Sequence, residues 1–316
     1  MDNFLSIKNK IEESRNILVT AHVNPDGDAI GAGLALVSGI EKINKNCKVR
    51  FVLQDKTPDR TKFLNLEKRA EIYNPEEIYN FDLAVCVDSA TLERTGTVKN
   101  LIKDSFIINI DHHISNPLYG NLNYVEDISS TSEVIYKFLK FCSAEIDIDI
   151  AESLYTGLVN DTGNFKHSNV TKDTFQMAGD LVAVGVDNSK IVREFLNTKS
   201  MAAIKLLGQA MYEMKFYEDK KLVYFFLSYD DMKKINGRKE DTEEIVETIV
   251  SYEKAEVSLF LREDIPGVIK GSMRSKYDVN VNEIAAIFGG GGHVKASGFT
   301  SELPADEIVK KVLEKL

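Results

Sequence analysis

Four short apolar runs near the amino terminus constrain the fold of this chain more than any other feature. They are Ile17–Ala21, Val49–Leu53, Leu83–Val87 and Phe106–Ile110. Their hydrophobicity is continuous rather than alternating, which is typical of parallel strands that are buried on both faces of a sheet. Polar turns and helical stretches separate the runs. Residues 1–195 are therefore predicted to form an α/β domain whose mainly parallel sheet is flanked by helices.

The pattern changes after residue 195. A helical connector is predicted over residues 196–214, and a smaller α/β domain over residues 215–316. The strands predicted in this second domain are Lys221–Tyr229, Ala255–Arg262 and Val268–Met273. The segment VSLFLRE at 257–263 approaches the alternation of a half-exposed sheet, so we expect helices to cover one face of that sheet.

Composition and charge narrow the classes of function. The net charge of −10 repels a polyanion, which argues against binding to long duplex nucleic acid. A small anionic substrate remains open, provided that a local positive site exists, and metal ions are the usual way to build one in an acidic chain. No apolar run approaches the ~18 residues of a membrane span. The first residues, MDNFLSIKNKIEESRN, alternate apolar and charged side chains and lack the apolar stretch of a secretory signal, so we expect a cytoplasmic protein. The three widely spaced cysteines do not indicate disulfides.

Acidic residues and histidines follow three of the four apolar runs. The segments are HVNPDGD at 22–28, DSA at 88–90 and DHH at 111–113. The carboxyl ends of parallel strands meet at one edge of a sheet, so these side chains are candidates for one site. Taken alone, Asp26 is equally well a turn residue and Asp28 a helix N-cap.

Two further acids favour a metal site. Asp88 ends a buried strand, and Asp161 lies in GLVNDTGNF after an apolar helical stretch. Four clustered carboxylates without counterions are strongly destabilising, whereas two divalent cations balance their charge. A donor set of imidazole and carboxylate groups without thiolates favours manganese, magnesium or cobalt over structural zinc.

The motifs HVNPDGD, VDSA, DHH and NDTG, in this order and at these intervals, resemble the four motifs of the DHH phosphoesterases. This family includes RecJ-type exonucleases, family II inorganic pyrophosphatases and the nanoRNase/pAp phosphatases. The resemblance therefore implies metal-dependent hydrolysis of phosphoesters or phosphoanhydrides, but it does not fix the substrate.

The resemblance also implies roles for individual residues, with two divalent ions, most simply Mn²⁺ and alternatively Mg²⁺ or Co²⁺. One ion is expected to be held by His22, Asp26 and Asp88, and the second by Asp28, Asp88, His112 and Asp161. Asp88 then bridges the two ions, and a water that they activate attacks the phosphorus. Asp111 is expected to orient a ligating histidine, and His113 to reach the substrate phosphate.

The carboxyl-terminal part carries a second pair of motifs, RSK at 274–276 and GGGGHVKASG at 289–298. The glycines can present backbone N–H groups to an anion and Arg274 can grip a phosphate, although an isolated glycine run is equally often a flexible loop. Both motifs resemble the DHH-associated carboxyl-terminal domain. Their order and the chain length resemble the nanoRNase/pAp phosphatase branch. The substrate-binding residues implied there, besides His113, are Arg274, Gly290, Gly291, Gly292 and His293.

The expected substrates are short single-stranded RNA or DNA oligonucleotides, including dinucleotides, which are hydrolysed to mononucleotides, and 3′-phosphoadenosine 5′-phosphate (pAp), which yields AMP. An active site in a cleft between the two domains would limit substrate length. The alternatives are a family II-type inorganic pyrophosphatase, which GGGGH disfavours, and an enzyme for breakdown products of cyclic dinucleotides. A non-catalytic nucleotide sensor is disfavoured by the complete metal motifs. No membrane partner is expected, and a homodimer stays open.

Two neighbouring features have simpler interpretations. Ser130 and Glu133 are spaced as a capping box for the next helix, in which each side chain binds the other residue's backbone N–H. His167 lacks the acidic neighbours of the other histidines, so we expect it to be an ordinary surface residue.

Overall fold

The computed structural model describes residues 2–316, which form two compact units. The first unit extends to Thr198 and the second begins at Lys199. The range 196–214, predicted as a connector, contains the end of the first unit and the helix Met201–Glu213, which packs in a core of the second unit. Within residues 2–316, no helix combines the length and the apolar character that a membrane span requires.

A six-stranded parallel sheet forms the centre of the first unit. Its strands are β1 (Asn16–Thr20), β2 (Lys48–Leu53), β3 (Ala70–Ile72), β4 (Leu83–Val87), β5 (Ile107–Asp111) and β6 (Leu122–Val125). The helices of this unit are α1 (Asp2–Glu13), α2 (Gly27–Ile43), α3 (Lys99–Ile102), α4 (Thr131–Phe141), α5 (Ile148–Asp161), α6 (Lys172–Val184) and α7 (Asn188–Ile191). The strand order is β3-β2-β1-β4-β5-β6. The predicted parallel α/β architecture is confirmed.

The four predicted strands are β1, β2, β4 and β5, each within one residue of its predicted ends. The strands β3 and β6 were missed, and both lie at an edge of the sheet. Every residue of β6 is only half-buried and no residue of β3 is buried. A strand that is not packed on both faces needs no continuous apolar run, so these two gave no hydrophobic signal.

The strand order places a crevice at the carboxyl ends of β1 and β4. Strand β1 pairs with β2 on one side and with β4 on the other, so the connections after these strands diverge. Ligands bind at such a switch point in open α/β sheets. The segment 22–28 follows β1, and Asp88 follows β4. The fold therefore brings the first two motifs together.

Helix α2 packs closely because its buried face carries small residues. All residues from Gly27 to Ile40 are buried. A Cβ atom at Gly31 would overlap the carbonyl oxygen of Ser153 in α5, and one at Gly33 would overlap the Phe51 ring of β2. Glycine at these positions lets α2 approach both α5 and the sheet.

The second unit contains a mixed six-stranded sheet in the order β11-β12-β10-β9-β8-β7. Its strands are β7 (Lys215–Tyr217), β8 (Leu222–Leu227), β9 (Val257–Ile265), β10 (Val268–Ser275), β11 (Gly291–Gly292) and β12 (Ala296–Ser301). Its helices are α8 (Met201–Glu213), α9 (Tyr229–Ile235), α10 (Ile245–Val250), α11 (Val281–Ala286) and α12 (Ala305–Lys315). Only β8 and β9 pair in parallel. The predicted strands correspond to β8, β9 and β10, while β7, β11 and β12 were missed.

Helices cover both faces of this second sheet, so the expectation of one covered face was wrong. Helices α8 and α10 pack with Val223, Phe225 and Phe260 on one face. Helices α11 and α12 pack with residues such as Leu222 and Leu259 on the other. Successive side chains of β8 and β9 point to opposite faces of the sheet and so pack in different cores. In β8 the side chains on both faces are apolar.

Replacing Gly31 by alanine is expected to lower the free energy of unfolding by about 1–3 kcal/mol, because the added methyl group forces α2 and α5 apart. Gly179 in α6 is a matched control, since a Cβ atom there meets no atom within 4 Å. Gly179→Ala is expected to stabilise the protein by about 0.5–1 kcal/mol. Urea denaturation measures both effects. An unchanged free energy of unfolding in Gly31→Ala would contradict the close approach of the two helices.

Candidate metal centre

Seven side chains converge at the carboxyl ends of β1, β4 and β5 and at the end of α5. Within each of three groups, the possible donor atoms lie within 4.8 Å of one another. The groups are His22, Asp26 and Asp88; Asp28, His112 and Asp161; and Asp88, His112 and His113. Asp88 belongs to two of them and has histidines on both sides. The structure thus brings together all the residues for which the sequence predicted metal binding.

Asp26 and Asp28 have distinct positions at the start of α2. Asp26 is the N-cap, and its Oδ1 accepts hydrogen bonds from the backbone N–H groups of Asp28 (2.9 Å) and Ala29 (3.1 Å). The same oxygen lies 3.9 Å from His22 Nε2. Asp28 is inside the first turn and fully buried, so it is not the N-cap.

The first turn of α4 holds the Asp28 carboxylate. Thr131 N donates to Asp28 Oδ2 (2.7 Å) and Ser132 N donates to Oδ1 (2.9 Å), so the positive end of this helix faces the carboxylate. Thr131 Oγ1 also donates to Asp88 Oδ1 (3.0 Å). Sequence analysis missed Thr131 and Ser132; the helix start next to Ser130 was the available signal.

Two histidines present the same nitrogen to the carboxylates. His22 Nδ1 donates to its neighbouring carbonyl at Val23 (2.8 Å), which leaves Nε2 3.4 Å from Asp88 Oδ2. His112 Nδ1 donates to the carbonyl of Ile128 (3.2 Å), and its Nε2 lies 3.6 Å from Asp88 Oδ1. A hydrogen bond from Nδ1 to a carbonyl fixes the tautomer and the ring orientation that a ligating histidine needs.

His113 is arranged differently. Its Nδ1 donates to Asp111 Oδ1 (2.8 Å), and its side chain is 32% exposed, compared with 8% for His22. The prediction that Asp111 orients a ligating histidine therefore needs correction. Asp111 orients His113, which was predicted to contact substrate, whereas His112 is held by the carbonyl of Ile128. Alternation along the extended segment places Asp111 and His113 on the same side.

Asp88 occupies a strained backbone position. Its φ is 50°, in the left-handed region that residues other than glycine rarely adopt. Its N–H still donates to the carbonyl of Ile110 at the end of β5 (3.1 Å). Strained residues persist where the surrounding structure over-determines them, and they cluster at functional sites.

The electrostatics of the site favour a cation. Burial, together with the charges of Asp161 and Asp88, raises the pKa of Asp28 well above its usual range. Burial lowers the pKa of His22, but Asp26 and Asp88 outweigh it and raise this pKa to about 10. Divalent cations can replace the protons that the site otherwise binds. Carboxylate and imidazole donors without thiolates fit Mn²⁺ or Mg²⁺.

The predicted phosphate-binding residues of the second unit lie around β10, β11 and β12. Arg274 is near the end of β10; its Nε donates to Glu247, and its Nη1 to the carbonyl of Met273 (3.0 Å). The exposed His293 follows β11, and a backbone bond joins it to Ala296, which is paired with Arg274 in the sheet. Arg274 and the turn that contains His293 are therefore neighbours at one end of this sheet.

The glycine run is more ordered than the sequence suggests. The backbone N–H groups of Gly289 and Gly290 donate to Ala286 and Ala285 at the end of α11 (both 3.0 Å), so they are not free to bind an anion. This corrects the expectation for Gly290. Gly291 and Gly292 form β11, and their substrate contacts stay a prediction.

The expected capping box at Ser130 forms only in part. Ser130 Oγ accepts the N–H of Glu133 (3.1 Å). The Glu133 carboxylate accepts instead from Ser129 Oγ and from Thr174 Oγ1, so it does not return to the Ser130 backbone. Glu133 is almost fully buried, and these hydroxyl groups connect α4 to α6.

Comparisons with known proteins agree with the fold and the motifs. Residues 16–158 match the DHH family, N-terminal domain, and residues 219–316 match the DHHA1 domain. The chain therefore belongs to the DHH/DHHA1 phosphoesterases.

Among its relatives, the bifunctional oligoribonuclease and PAP phosphatase NrnA of Thermus thermophilus is 33% identical over 302 residues, which cover 94% of this chain and 88% of that protein. NrnA of Bacillus subtilis is 28% identical, over 89% and 88% of the respective chains. The crystal structure of an exopolyphosphatase-related protein from Bacteroides fragilis has a TM-score of 0.93 at 29% identity, covering 99% of this chain and 96% of that one. The structure of RecJ from Thermus thermophilus in complex with Mn²⁺ is 12% identical in sequence. The superposition covers 100% of this chain and 55% of the RecJ chain, and its TM-score of 0.60 shows a shared fold.

Mn²⁺ affinity is expected to keep rising above neutral pH. A protonated imidazole cannot bind a metal ion, and the pKa of His22 is raised to about 10, so binding must release its proton. The affinity of chelator-stripped protein should therefore increase by about tenfold per pH unit for each released proton between pH 7 and 8.5. Isothermal titration calorimetry measures this. A plateau above pH 7.5 would show that both His22 and His112 are neutral before the metal binds.

Proposed function

We propose that this protein hydrolyses very short oligonucleotides to mononucleotides and dephosphorylates pAp to AMP. The observation that carries the proposal is the position of Asp88, whose Oδ2 lies 3.4 Å from His22 Nε2 and whose Oδ1 lies 3.6 Å from His112 Nε2. One carboxylate that serves two adjacent groups is the arrangement expected of a two-metal phosphoesterase. The substrate class is suggested by the two NrnA relatives, each similar over nearly the full chain.

The proposed division of ligands follows the groups in the structure. His22, Asp26 and Asp88 hold one divalent ion, Mn²⁺ in our proposal. The second ion is held by the group Asp28, His112 and Asp161. We add Asp88 to this set, because its Oδ1 lies 3.6 Å from His112 Nε2. When bound, such ions make a water-derived nucleophile available near neutral pH and offset the charge of the phosphate. The backbone N–H groups of Thr131 and Ser132 keep Asp28 in place.

We assign to His113 the contact with the leaving oxygen of the substrate. The Nδ1 bond to Asp111 leaves Nε2 as the free ring nitrogen, and the ring is partly exposed. The hydrogen bond and the charge of Asp111 raise the pKa of His113, so near neutral pH a larger fraction of this histidine carries a proton than of an ordinary one. A donor at this position stabilises the charge that develops as the phosphoester bond breaks.

In the second unit, Arg274 and His293 are proposed to bind the terminal phosphate of the substrate. Arg274 pairs with Glu247, which is itself 58% exposed, so a phosphate can replace this carboxylate as the partner of the guanidinium. A protein with a net charge of −10 repels a substrate more strongly with each phosphate that the substrate carries, so substrates with few phosphates are favoured. The proposal therefore includes short single strands and nucleotide bisphosphates, but not long duplexes, and a cytoplasmic location.

The direct test is Mn²⁺-dependent hydrolysis of a 5′-labelled RNA series, from dinucleotides to oligomers of about twenty-four nucleotides, beside pAp and pyrophosphate. We expect the shortest RNAs to be cleaved fastest and pAp to release phosphate. Asp88→Ala should abolish both reactions, because it removes the carboxylate that the two proposed ion sites share. Product analysis by chromatography distinguishes mononucleotides from other fragments.

Asp104→Ala is the matched control, since Asp104 is an exposed aspartate and belongs to none of the three ligand groups. It should retain wild-type rates. Hydrolysis of pyrophosphate alone would overturn the proposal in favour of a pyrophosphatase, and equal rates across all RNA lengths would remove the selectivity for short substrates.

His113→Ala is expected to lower kcat by about 10²–10⁴-fold, because it removes the proposed donor to the leaving oxygen. The Mn²⁺ content, measured by atomic absorption, should stay unchanged. His167→Ala is the matched control; this exposed histidine bonds the backbone carbonyl of Asp161 and should keep kcat within about threefold. Loss of metal from His113→Ala would show instead that His113 is a ligand.

A further inference from the structure

Asn116 lies in the loop after the DHH segment and connects two of the metal-site motifs. Its side chain is 9% exposed. Its Nδ2 donates to Asp111 Oδ2 (2.6 Å) and to the carbonyl of Ser89 (3.3 Å), the residue after Asp88. One amide group therefore bonds both the end of β5 and the loop that follows β4.

The other contacts of Asn116 fix its orientation. Its Oδ1 accepts from Leu118 N (2.9 Å) and from Asn109 Nδ2 (3.0 Å), and its backbone N–H donates to the carbonyl of His113 (3.1 Å). Its Nδ2 also donates to Asn109 Oδ1 (3.4 Å). Because Oδ1 has two donors and Nδ2 has three acceptors, a rotated amide would leave buried groups unpaired. The amide can therefore determine the orientation of the group that it bonds.

Asp111 is that group, and it is fully buried. Oδ2 accepts from Asn116 and Oδ1 accepts from His113 Nδ1, so the two bonds fix the plane of the carboxylate. A buried carboxylate that loses a hydrogen-bond partner must rotate or draw in another donor. Either change moves Oδ1 and, with it, the His113 ring.

We infer that Asn116 is a positioning residue of the active site, which holds the Asp111 carboxylate so that His113 keeps its ring directed at the substrate phosphate. The inference rests on the proposed function in one respect, the contact of His113 with substrate. The Asn116–Asp111–His113 hydrogen-bond chain is independent of it.

Asn123 is a matched control from the same cluster of amides. Its Oδ1 accepts from Asn109 Nδ2 (3.2 Å) and from Gly120 N (2.9 Å), while its Nδ2 donates to the Gly120 carbonyl (2.7 Å). Asn123 shares the partner Asn109 with Asn116, but the structure gives it no bond to Asp111. Asn123→Ala therefore disturbs the cluster and its stability without removing a partner from Asp111.

The kinetic test compares Asn116→Ala and Asn123→Ala, alone and combined with His113→Ala, on a dinucleotide with saturating Mn²⁺. Asn116→Ala is expected to lower kcat by about 10–100-fold with unchanged metal content, as is usual when the partner of an active-site ligand or base is removed. In the His113→Ala background the further loss should be below about threefold, because both changes remove one function. Asn123→Ala should keep kcat within about threefold.

The same loss in both backgrounds, or an equal loss in Asn123→Ala, would overturn the inference and leave Asn116 a general structural role. If Asn116→Ala does not fold, Asn116→Ser keeps a polar group but is too short to reach Asp111, and the same outcomes apply to it.

A readout without turnover separates this inference from the proposed function. The Nδ1–H proton of His113, assigned by its absence in His113→Ala, should give a protected nuclear magnetic resonance signal in the wild type. We expect the signal to shift or broaden in Asn116→Ala and to stay in place in Asn123→Ala. An unchanged signal in Asn116→Ala would overturn the inference even in an active enzyme. If the signal changes in Asn116→Ala but the wild-type protein cleaves no oligonucleotide, the hydrogen-bond chain is supported and the proposed substrate is refuted.

Discussion

The negative charge concentrated in Asp28, Asp88 and Asp161 is the constraint on which the rest of the first unit depends. These carboxylates lie at the ends of different elements, and Asp28 and Asp88 are almost fully removed from water. Burial of like charges is unfavourable unless protons or cations compensate. The strand order brings these carboxylates together. The first turn of α4 donates hydrogen bonds to Asp28, and two histidines lie beside Asp88. The first unit must therefore balance this charge with protons or cations, which would link its stability to the metal-dependent catalysis proposed above.

The sequence predicted those parts of the fold that are buried on two faces. Strands β1, β2, β4 and β5 have continuous apolar runs because helices pack on both sides of the sheet, and their carboxyl ends follow from parallel pairing. The convergence of His22, Asp88 and His112 could therefore be expected before any coordinates. Edge strands such as β3 gave no comparable signal, since they carry little buried surface.

Contacts between distant parts of the chain were not predictable in the same way. Thr131 lies more than a hundred residues from Asp28, and its backbone N–H gives no signal in a sequence. Asp111 was expected to orient a ligating histidine, but its carboxylate bonds His113, which alternation along the extended segment places on the same side. The glycine run has a packing role that the sequence did not show, because a Cβ atom at Gly290 would overlap Phe299 and the Gly298 carbonyl.

The packing around Asp28 has a consequence for ion selectivity. A Cβ atom at Gly157 of α5 would overlap Ser132 Oγ and crowd Asp28 Oδ1, so helices α2, α4 and α5 leave this carboxylate no room to retreat. Calcium needs oxygen distances of roughly 2.3–2.6 Å and a flexible shell, whereas magnesium prefers roughly 2.0–2.1 Å. A cage that cannot expand discriminates by ionic radius. In the metal centre proposed above, the glycine at 157 would thereby help to decide which ions bind.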